Sequence, residues 1–116
     1  VNVFHLLFTP FFLPIFLALN IHIIKYMRYS YDPAKKKSNL IKHGLDFDEA
    51  KRVIESGNTV TFEDNRYDYD EPRFITLGNL NGSIVVIVTT ESDSEIRIIS
   101  MRKAEKNEQK IYFNNI

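Results

Sequence analysis

The sequence predicts a single α+β domain in which two helices come first, an antiparallel sheet of about four strands follows, and a third helix ends the chain. Two observations predict this order. Gly44 and Gly57 each end a segment with helical spacing of apolar residues, and both segments precede any long strand. Residues 84–88 are then continuously apolar, which is typical of a central strand that is covered on both faces. At 116 residues the chain is long enough for one domain with one core.

Composition excludes several classes of protein. The formal net charge is +0, so the positive charge typical of nucleic-acid-binding proteins is absent, and any RNA or DNA contact would need a local basic patch. The absence of cysteine excludes disulfides and thiolate metal sites. The three histidines lack metal-ligand spacing, so we expect neither a metal site nor a cofactor. The sequence has no glycine-rich phosphate loop or nucleophile elbow, which argues against ATP-driven and serine-hydrolase chemistry.

Residues 1–26 form an apolar segment with one charged side chain, Lys25. Their length would allow a membrane-spanning helix, although prolines and polar side chains interrupt the segment. Met27 stands where the pattern of a soluble domain begins. We therefore expect residues 1–26 to be a hydrophobic extension, read from a misassigned start, outside a domain at 27–116, and we expect the protein to be cytoplasmic. A membrane anchor is the alternative if the extension is translated.

The first half of the predicted domain is mainly helical. Residues 27–31 alternate as a short edge strand, and Asp32 and Pro33 are typical of an N-cap and a first helical position. The helix that follows ends at Gly44 and has a basic face, and such lysine-rich faces are more often solvated than bound to nucleic acid. A second helix begins with a capping-box-like pattern at residues 46–49.

The second half is predicted to be a meander of strands. Residues 59–62 alternate as a strand, and an acidic loop that contains tyrosines leads to a strand at 73–80. The pair Asn81-Gly82 predicts a two-residue type I′ hairpin turn. The return strand is the continuously apolar one. The next strand is expected to pair with it and to give way to a helix over residues 104–113.

Arg97 is the centre of the candidate chemistry. It lies among isoleucines in the last strand, so its side chain leaves the sheet on the face opposite theirs. A guanidinium held on a strand either pairs with a carboxylate or binds an anion such as phosphate. Arg73 lies on another strand, and further basic side chains lie at the ends of elements (Lys42, His43, Arg102 and Lys103). These residue types suit a phosphodiester, whose charge arginines would stabilise and whose protons histidine would transfer.

Each of these residues also has a structural interpretation. His43 could interact favourably with the negative end of its helix dipole. Taken alone, this role is more common for such a histidine than catalysis. Arg73 could pair with the acidic residues before it, and Arg102 and Lys103 could form a solvated helix edge. The spacing alone leaves these alternatives open.

Residues 29–113 resemble the BrnT family, the toxins of a bacterial type II toxin-antitoxin system. The matching segments occur in the order of the family: YDPAK at 31–35, NLIKHG at 39–44, FDEA at 47–50, DNRYDY at 64–69, EPRFITLG at 71–78 and IRIISMRKA at 96–104. They cover almost all of the chain after Met27, so the resemblance is specific.

The resemblance implies a RelE-like fold and a metal-independent endoribonuclease that blocks translation. It also implies a BrnA-like antitoxin with a ribbon-helix-helix DNA-binding domain as partner, with operator DNA bound only through that antitoxin. The basic cluster of the family falls on Lys42, His43, Arg73, Arg97 and Arg102, with Glu71 as a possible acid/base partner. We therefore expect catalytic roles for Arg73, Arg97, His43 and Glu71, and RNA-binding roles for Lys42, Arg102 and Lys103.

The sequence departs from the family at three positions. Tyr31 stands where tryptophan is usual, Ser92 lies near a position that is commonly basic, and Glu105 replaces a threonine or serine. A lost cation and an added acid weaken the electrostatic attraction for RNA. A second interpretation is therefore a catalytically weak toxin-fold subunit that binds the antitoxin and acts as a co-repressor.

Overall fold

A five-stranded sheet lies at the centre of the protein. The structure is a computed structural model that describes residues 27–66 and 70–116, so the expected extension at 1–26 lies outside the described residues. The strands are β1 (Arg28–Tyr31), β2 (Thr59–Glu63), β3 (Phe74–Leu80), β4 (Ser83–Glu91) and β5 (Glu95–Lys103). Their order in the sheet is β1-β5-β4-β3-β2, which makes β4 the central strand, as its continuous apolar run predicted.

The sheet is mixed, because β1 runs parallel to β5 whereas the other neighbouring strands are antiparallel. The prediction of an antiparallel sheet of about four strands was therefore wrong in strand number and in direction. The short first strand does lie at an edge, as expected, but its neighbour is the last strand of the chain. A parallel pair needs a long crossover connection, and the local pattern of residues 27–31 does not reveal which distant strand completes it.

Within residues 27–66 and 70–116, three α-helices flank the sheet: α1 (Pro33–His43), α2 (Ala50–Ile54) and α3 (Lys106–Asn115). α1 has the expected caps. The Asp32 carboxylate accepts a hydrogen bond from the backbone N–H of Ala34 at 2.8 Å, and Gly44 ends the helix with a φ of 70°. Across the described parts of the chain, no helix combines the length and the apolar character that a membrane crossing needs.

The second predicted helix is only partly α-helical. A 3₁₀ turn at Phe47–Glu49 leads into α2, which is 5 residues long. The Asp46 side chain accepts a hydrogen bond from the N–H of Asp48 at 2.9 Å, and the Asp46 carbonyl accepts one from the N–H of Glu49 at 3.0 Å. These short-range bonds tighten the first turn, so the prediction of two N-terminal helices matches only in part, because the second begins as a 3₁₀ turn.

The last helix begins later than the sequence predicted. The pairing of β5 with β4 continues to Lys103, which lies opposite Val85, and α3 begins only after the N-cap Glu105. The predicted helix start at residue 104 was wrong, since the helix begins at Lys106. Residues 101–103 pair with β4 as part of the strand, so the helix starts only after them.

Two apolar layers cover the two faces of the sheet. The face covered by α1, the 3₁₀ turn and α2 is called the α1 face, and its buried side chains include Val53, Val85, Ile87, Ile96, Ile98 and Met101. The opposite face, called the α3 face, is covered in part by α3, and its buried side chains include Val60, Leu77, Ile84, Val86 and Tyr112.

Asn39 fixes α1 against the edge of β5. β1 covers that edge only as far as Ile98. Beyond it, the Asn39 side-chain N–H donates to the carbonyl of Met101 at 2.9 Å, and the Asn39 side-chain oxygen accepts from the N–H of Met101 at 3.2 Å. The amide thus takes the place of a neighbouring strand for one residue, and the C-terminal half of α1 lies beside this part of β5.

Candidate active site

A β-bulge in β5 shapes the candidate site. Ser100 lies opposite Val88 and Ile98 lies opposite Thr89, so Ile99 stands outside the register of the described ladder. Side chains of a regular strand alternate between the two faces of a sheet. The extra residue shifts that alternation by one position within β5.

The bulge brings two arginines to the same face. Arg97 lies opposite Thr90 and Arg102 lies opposite Val86, and directly opposed residues of an antiparallel ladder share a face. Val86 belongs to the α3 layer, and Thr90 is an even number of residues further along the same strand. Arg97, Ser100 and Arg102 therefore form a row on the α3 face, which we call the β5 row.

Arg97 lines a small open pocket of about 110 Å³ at one end of the β5 row. The other lining residues come from the segment before β3, the end of β4, the turn after it and the start of β5: Glu71, Thr90, Glu91, Ser92 and Glu95. Arg97 is exposed, whereas Ile96 and Ile98 are buried. The structure thus brings together two residues that the sequence predicted to be catalytic, in what we call the Glu71–Arg97 pocket.

Two acids of the Glu71–Arg97 pocket are partly neutralised. Oε2 of Glu95 lies 3.7 Å from Nη2 of Arg28. Both carboxyl oxygens of Glu91 are buried and lack a hydrogen-bond partner among the described residues, and this burial raises the pKa of Glu91 to about 8. Glu91 is then largely protonated at neutral pH. Glu71 is exposed and shares the pocket with Arg97.

Glu91 is a residue that sequence reasoning missed. It ends β4 opposite Ile96, which is part of the core on the α1 face. Its side chain therefore leaves the sheet on the side opposite Arg97, so the carboxyl lies behind the β5 row rather than in it. An acid directly after an apolar strand was the available signal in the sequence.

Arg73 lies at the same end of the sheet as Arg97. Its carbonyl accepts a hydrogen bond from the N–H of Asp64 at 2.8 Å, which extends the β2–β3 ladder by one residue beyond Phe74. Phe74 pairs with Thr89 of β4. The next residue of β4, Thr90, pairs with Arg97. Arg73 and Arg97 thus stand on either side of β4, and Arg73 is half-buried.

Arg102 ends the β5 row in a bidentate ion pair. Its Nη1 and Nη2 donate to Oε1 and Oε2 of Glu108 at 2.7 Å and 2.8 Å. Glu108 also accepts the N–H of Glu105 at 2.8 Å, so the pair joins β5 to the first turn of α3. The hydrogen bond to Glu108 raises the pKa of Arg102, and the hydrogen bond from Arg102 lowers the pKa of Glu108. A residue predicted to bind RNA is thus held by a carboxylate.

Arg66 is a second residue that sequence reasoning missed. Its Nε donates to Oδ1 of Asp64 at 2.8 Å and its Nη2 donates to Oδ2 at 2.9 Å. Together with Arg102, which has the larger effect, the charge of Arg66 lowers the pKa of Glu108. Arg66 therefore lies within electrostatic range of the Arg102–Glu108 pair.

Lys42 and His43 lie in the last turn of α1. They follow Asn39 by three and four residues, so they share the side of the helix that faces the edge of β5 near Met101. Neither is among the described residues that line the Glu71–Arg97 pocket. The structure therefore places these two predicted site residues beside the sheet edge and outside the pocket.

Lys103 lies in a different groove. It is exposed at the end of β5, and it lines a groove of about 270 Å³ together with Gln109 and Phe113 of α3 and Gly82 of the β3–β4 turn. This groove shares no described lining residue with the Glu71–Arg97 pocket. Lys103 is therefore separated from the predicted catalytic residues.

The side chains at the site define the chemistry that it can perform. Guanidinium groups can bind a phosphate and stabilise added negative charge, and an exposed carboxylate can transfer a proton. In the described part of the chain, no group of three or more His, Cys, Asp or Glu residues could hold a metal ion.

Comparison with known proteins shows to which family the chain belongs. The family model described as "Ribonuclease toxin, BrnT, of type II toxin-antitoxin system" matches residues 31–108. The chain belongs to the BrnT family. A search of curated proteins finds no match. Membership in the BrnT family confirms the resemblance inferred from the sequence, and it implies ribonuclease toxin chemistry and an antitoxin partner.

The segment matched by the BrnT family contains the candidate site. It begins at Tyr31, the last residue of β1, and ends at Glu108 in the first turn of α3. It therefore includes the β5 row, the Glu71–Arg97 pocket and the Arg102–Glu108 pair.

Proposed function

We propose that the protein is a metal-independent endoribonuclease that inhibits translation by cutting RNA at the Glu71–Arg97 pocket. The observation that carries the proposal is the presence of an exposed guanidinium and an exposed carboxylate in one small open pocket of a ribonuclease toxin of the BrnT family. In this reaction the 2′-hydroxyl of the substrate attacks the adjacent phosphorus. The bond from phosphorus to the 5′-oxygen breaks and the 5′-oxygen takes up a proton, so the products are a 2′,3′-cyclic phosphate and a 5′-hydroxyl.

The proposed chemistry divides into charge stabilisation and proton transfer. Arg97 and Arg73 contact the phosphate and stabilise the phosphorane, which carries more negative charge than the substrate. Glu71 removes the proton from the 2′-hydroxyl, since it is the exposed carboxylate beside Arg97. His43 is the alternative group for proton transfer, and its position beside the sheet edge would require the RNA to reach around β5.

RNA binding is proposed to continue along the α3 face. Arg102 lies on that face in the β5 row, so a strand of RNA that enters the pocket can pass over it. Lys42 and Lys103 are proposed to contact the backbone further from the reacting phosphate, because both are exposed and lie outside the pocket.

The proposal includes the biological context of the family. The antitoxin is proposed to be BrnA-like, with a ribbon-helix-helix domain that binds operator DNA on behalf of the complex. We also propose that residues 27–116 form a RelE-like toxin domain that acts in the cytoplasm, and that residues 1–26 are an extension outside it. The α+β architecture and the family match support this context.

The test is RNA cleavage by the purified chain in the presence of a metal chelator. The wild type should cut single-stranded RNA without added metal and leave a 2′,3′-cyclic phosphate. Arg97→Ala should slow cleavage by about 10²-fold or more, as is typical when charge stabilisation of a transition state is lost. Glu71→Gln should slow it by about 10² to 10⁴-fold, the usual contribution of a general acid or base.

Arg52→Ala is the matched control for Arg97→Ala. Arg52 is also exposed, but it lies on α2 over the α1 face and pairs with Glu49 at 2.8 Å. It should leave cleavage nearly unchanged. An intact wild type that cuts no RNA in any of these assays would refute the proposal.

A second candidate function is a binding subunit that acts only with the antitoxin as a co-repressor. It is favoured by the acids around Arg97, since the carboxyl groups of Glu71 and Glu95 line its pocket and oppose an incoming phosphate. Induced expression separates the two functions. Growth arrest that is abolished by Arg97→Ala supports the enzyme, whereas normal growth together with tight antitoxin binding supports the subunit.

A further inference from the structure

Arg66 is held in place by a carboxylate behind it. Its guanidinium makes two parallel hydrogen bonds to the Asp64 carboxylate, Nε to Oδ1 at 2.8 Å and Nη2 to Oδ2 at 2.9 Å. The backbone N–H of Arg66 also donates to Oδ1 of Asp64, at 3.1 Å. The two guanidinium bonds fix the direction of a side chain that would otherwise sample many rotamers, and the backbone bond orients the carboxylate that holds it.

The Asp64–Arg66 pair is asymmetric in its exposure. The Asp64 side chain is 2% exposed and that of Arg66 is 65% exposed. The negative end of the pair is therefore buried while the positive end faces solvent. The Arg52–Glu49 pair differs in this respect, because its side chains are 57% and 44% exposed and both charges face water.

The position of Arg66 relates it to the candidate site. Asp64 is tied to Arg73 by the backbone hydrogen bond that extends the β2–β3 ladder, so the start of the loop is fixed to the sheet. Asp64 follows Val60 and Phe62 of the α3 layer at even spacing along the β2 ladder, so its carboxylate holds Arg66 on the α3 face. Asp64 lies opposite Arg73, which is level with Thr90 and Arg97 in the neighbouring strands. Arg66 thus stands at the end of the sheet that carries Arg97.

We propose that Arg66 binds a phosphate of the RNA backbone next to the scissile phosphodiester, as a positioning residue on the α3 face. This inference rests on the proposed ribonuclease function. The ligand class is the phosphodiester backbone of single-stranded RNA, which Arg66 would recognise without regard to base identity. A fixed guanidinium loses little rotamer entropy when a phosphate binds, which is the advantage of holding it in advance. Asp64 reduces the net charge of the pair, so the contribution of Arg66 should be smaller than that of Arg97.

The test compares two double variants of the full chain. Asp64→Asn/Arg66→Gln removes the exposed cation together with its buried partner, so net charge is unchanged and no unpaired carboxylate is left buried. Glu49→Gln/Arg52→Gln is the matched control, since it removes another ion pair with a 2.8 Å contact and also leaves net charge unchanged. The probe is a fluorescein-labelled single-stranded RNA with 2′-O-methyl groups, which lacks the attacking hydroxyl and is not cut.

Binding is measured by fluorescence anisotropy between about 0.05 and 0.2 M salt. The Asp64→Asn/Arg66→Gln variant should bind roughly tenfold more weakly at low salt. The slope of log K against log salt should become shallower by about 0.7, the value expected for one lost contact to a single-stranded phosphate. The control variant should match the wild type in affinity and in slope.

A further variant keeps the inference testable if the double variant unfolds in circular dichroism. Arg66→Lys retains the charge but loses the planar fork, so it should weaken binding less and keep the wild-type slope. Wild-type affinity and slope in the Asp64→Asn/Arg66→Gln variant, or an equal loss in the control variant, would overturn the role of Arg66 while leaving the proposed ribonuclease intact. A wild type that neither binds nor cuts RNA would overturn both.

Discussion

Arg97 and Arg102 are five residues apart in β5, yet both side chains project from the α3 face. An odd separation places two residues of a regular strand on opposite faces. The bulge at Ile99 supplies the extra residue that brings them to one side. A row of cations for a phosphate backbone on this face therefore depends on a single irregularity in β5.

Deletion of Ile99 should separate the effect of the bulge from that of the side chain. Ile98 and Ser100 would become consecutive partners of Thr89 and Val88, so both halves of the ladder keep their register. We expect the deletion variant to fold, with a loss of about 1 kcal/mol for one half-buried side chain. The straighter strand should shift Arg97 relative to Arg102 and slow RNA cleavage by up to about 10²-fold.

Ile99→Ala is the control for the deletion, because it removes the side chain but keeps the bulge. Unfolding in denaturant should show similar stability losses for the two variants. RNA cleavage should fall in the deletion variant alone. Equal cleavage rates in the two variants would show that the bulge does not arrange the β5 row.

The sequence predicted local features of the fold well. The caps of α1 at Asp32 and Gly44 were correct, and so was the hairpin turn, where Asn81 and Gly82 have φ values of 53° and 91°. Each of these features is decided by the residue types at the position itself. The parallel pairing of β1 was missed, since it depends on contacts between the two ends of the domain.

The candidate site was predictable only where side-chain alternation was regular. The exposure of Arg97 followed from its position between buried isoleucines. The face occupied by Arg102 did not follow, because a bulge has no reliable signature in one sequence. The burial of Glu91 and the anchoring of Arg66 by Asp64 depend on tertiary packing, which composition and spacing do not reveal.

Asn39→Ala should be among the more destabilising single substitutions in α1. Asn39 is 7% exposed, and its amide satisfies both the N–H and the carbonyl of Met101 where β1 no longer covers β5. Two buried backbone groups would lose their partners, at a cost of about 2 to 4 kcal/mol. Denaturant unfolding measures the change. Ser38→Ala, an exposed neighbour, should stay within about 0.5 kcal/mol of the wild type.

Glu91 should make stability fall as pH rises. Its folded pKa of about 8 lies above the ordinary value of about 4.3 for a free glutamate. As pH rises, Glu91 therefore loses its proton in the unfolded chain before it does so in the folded protein. The stabilising contribution of neutral Glu91 is full at low pH and declines as pH rises to about 8. Above about pH 8 the free energy of unfolding no longer changes because of this group. The slope from this group should not exceed about 1.4 kcal/mol per pH unit.

Glu91→Gln isolates this effect from those of other titrating groups. The difference in unfolding free energy between Glu91→Gln and the wild type should shift in favour of the variant as pH is raised from about 5 to about 8. Glu71→Gln is the control, because Glu71 lies exposed in the same pocket. A pH-independent difference for Glu91→Gln would mean that the carboxyl is ionised, and hence solvated, in the folded protein.

Glu108→Gln should test whether Arg102 contacts RNA. The variant loses the bidentate partner of Arg102, which joins β5 to α3. Its free energy of unfolding should therefore fall by about 1 to 2 kcal/mol. At the same time the released guanidinium should bind phosphate better and raise RNA affinity severalfold. Glu105→Gln removes the same charge one turn earlier without breaking the pair, and should change RNA affinity less. If the two variants raise affinity equally, the gain comes from overall charge, and Arg102 serves the fold rather than the RNA.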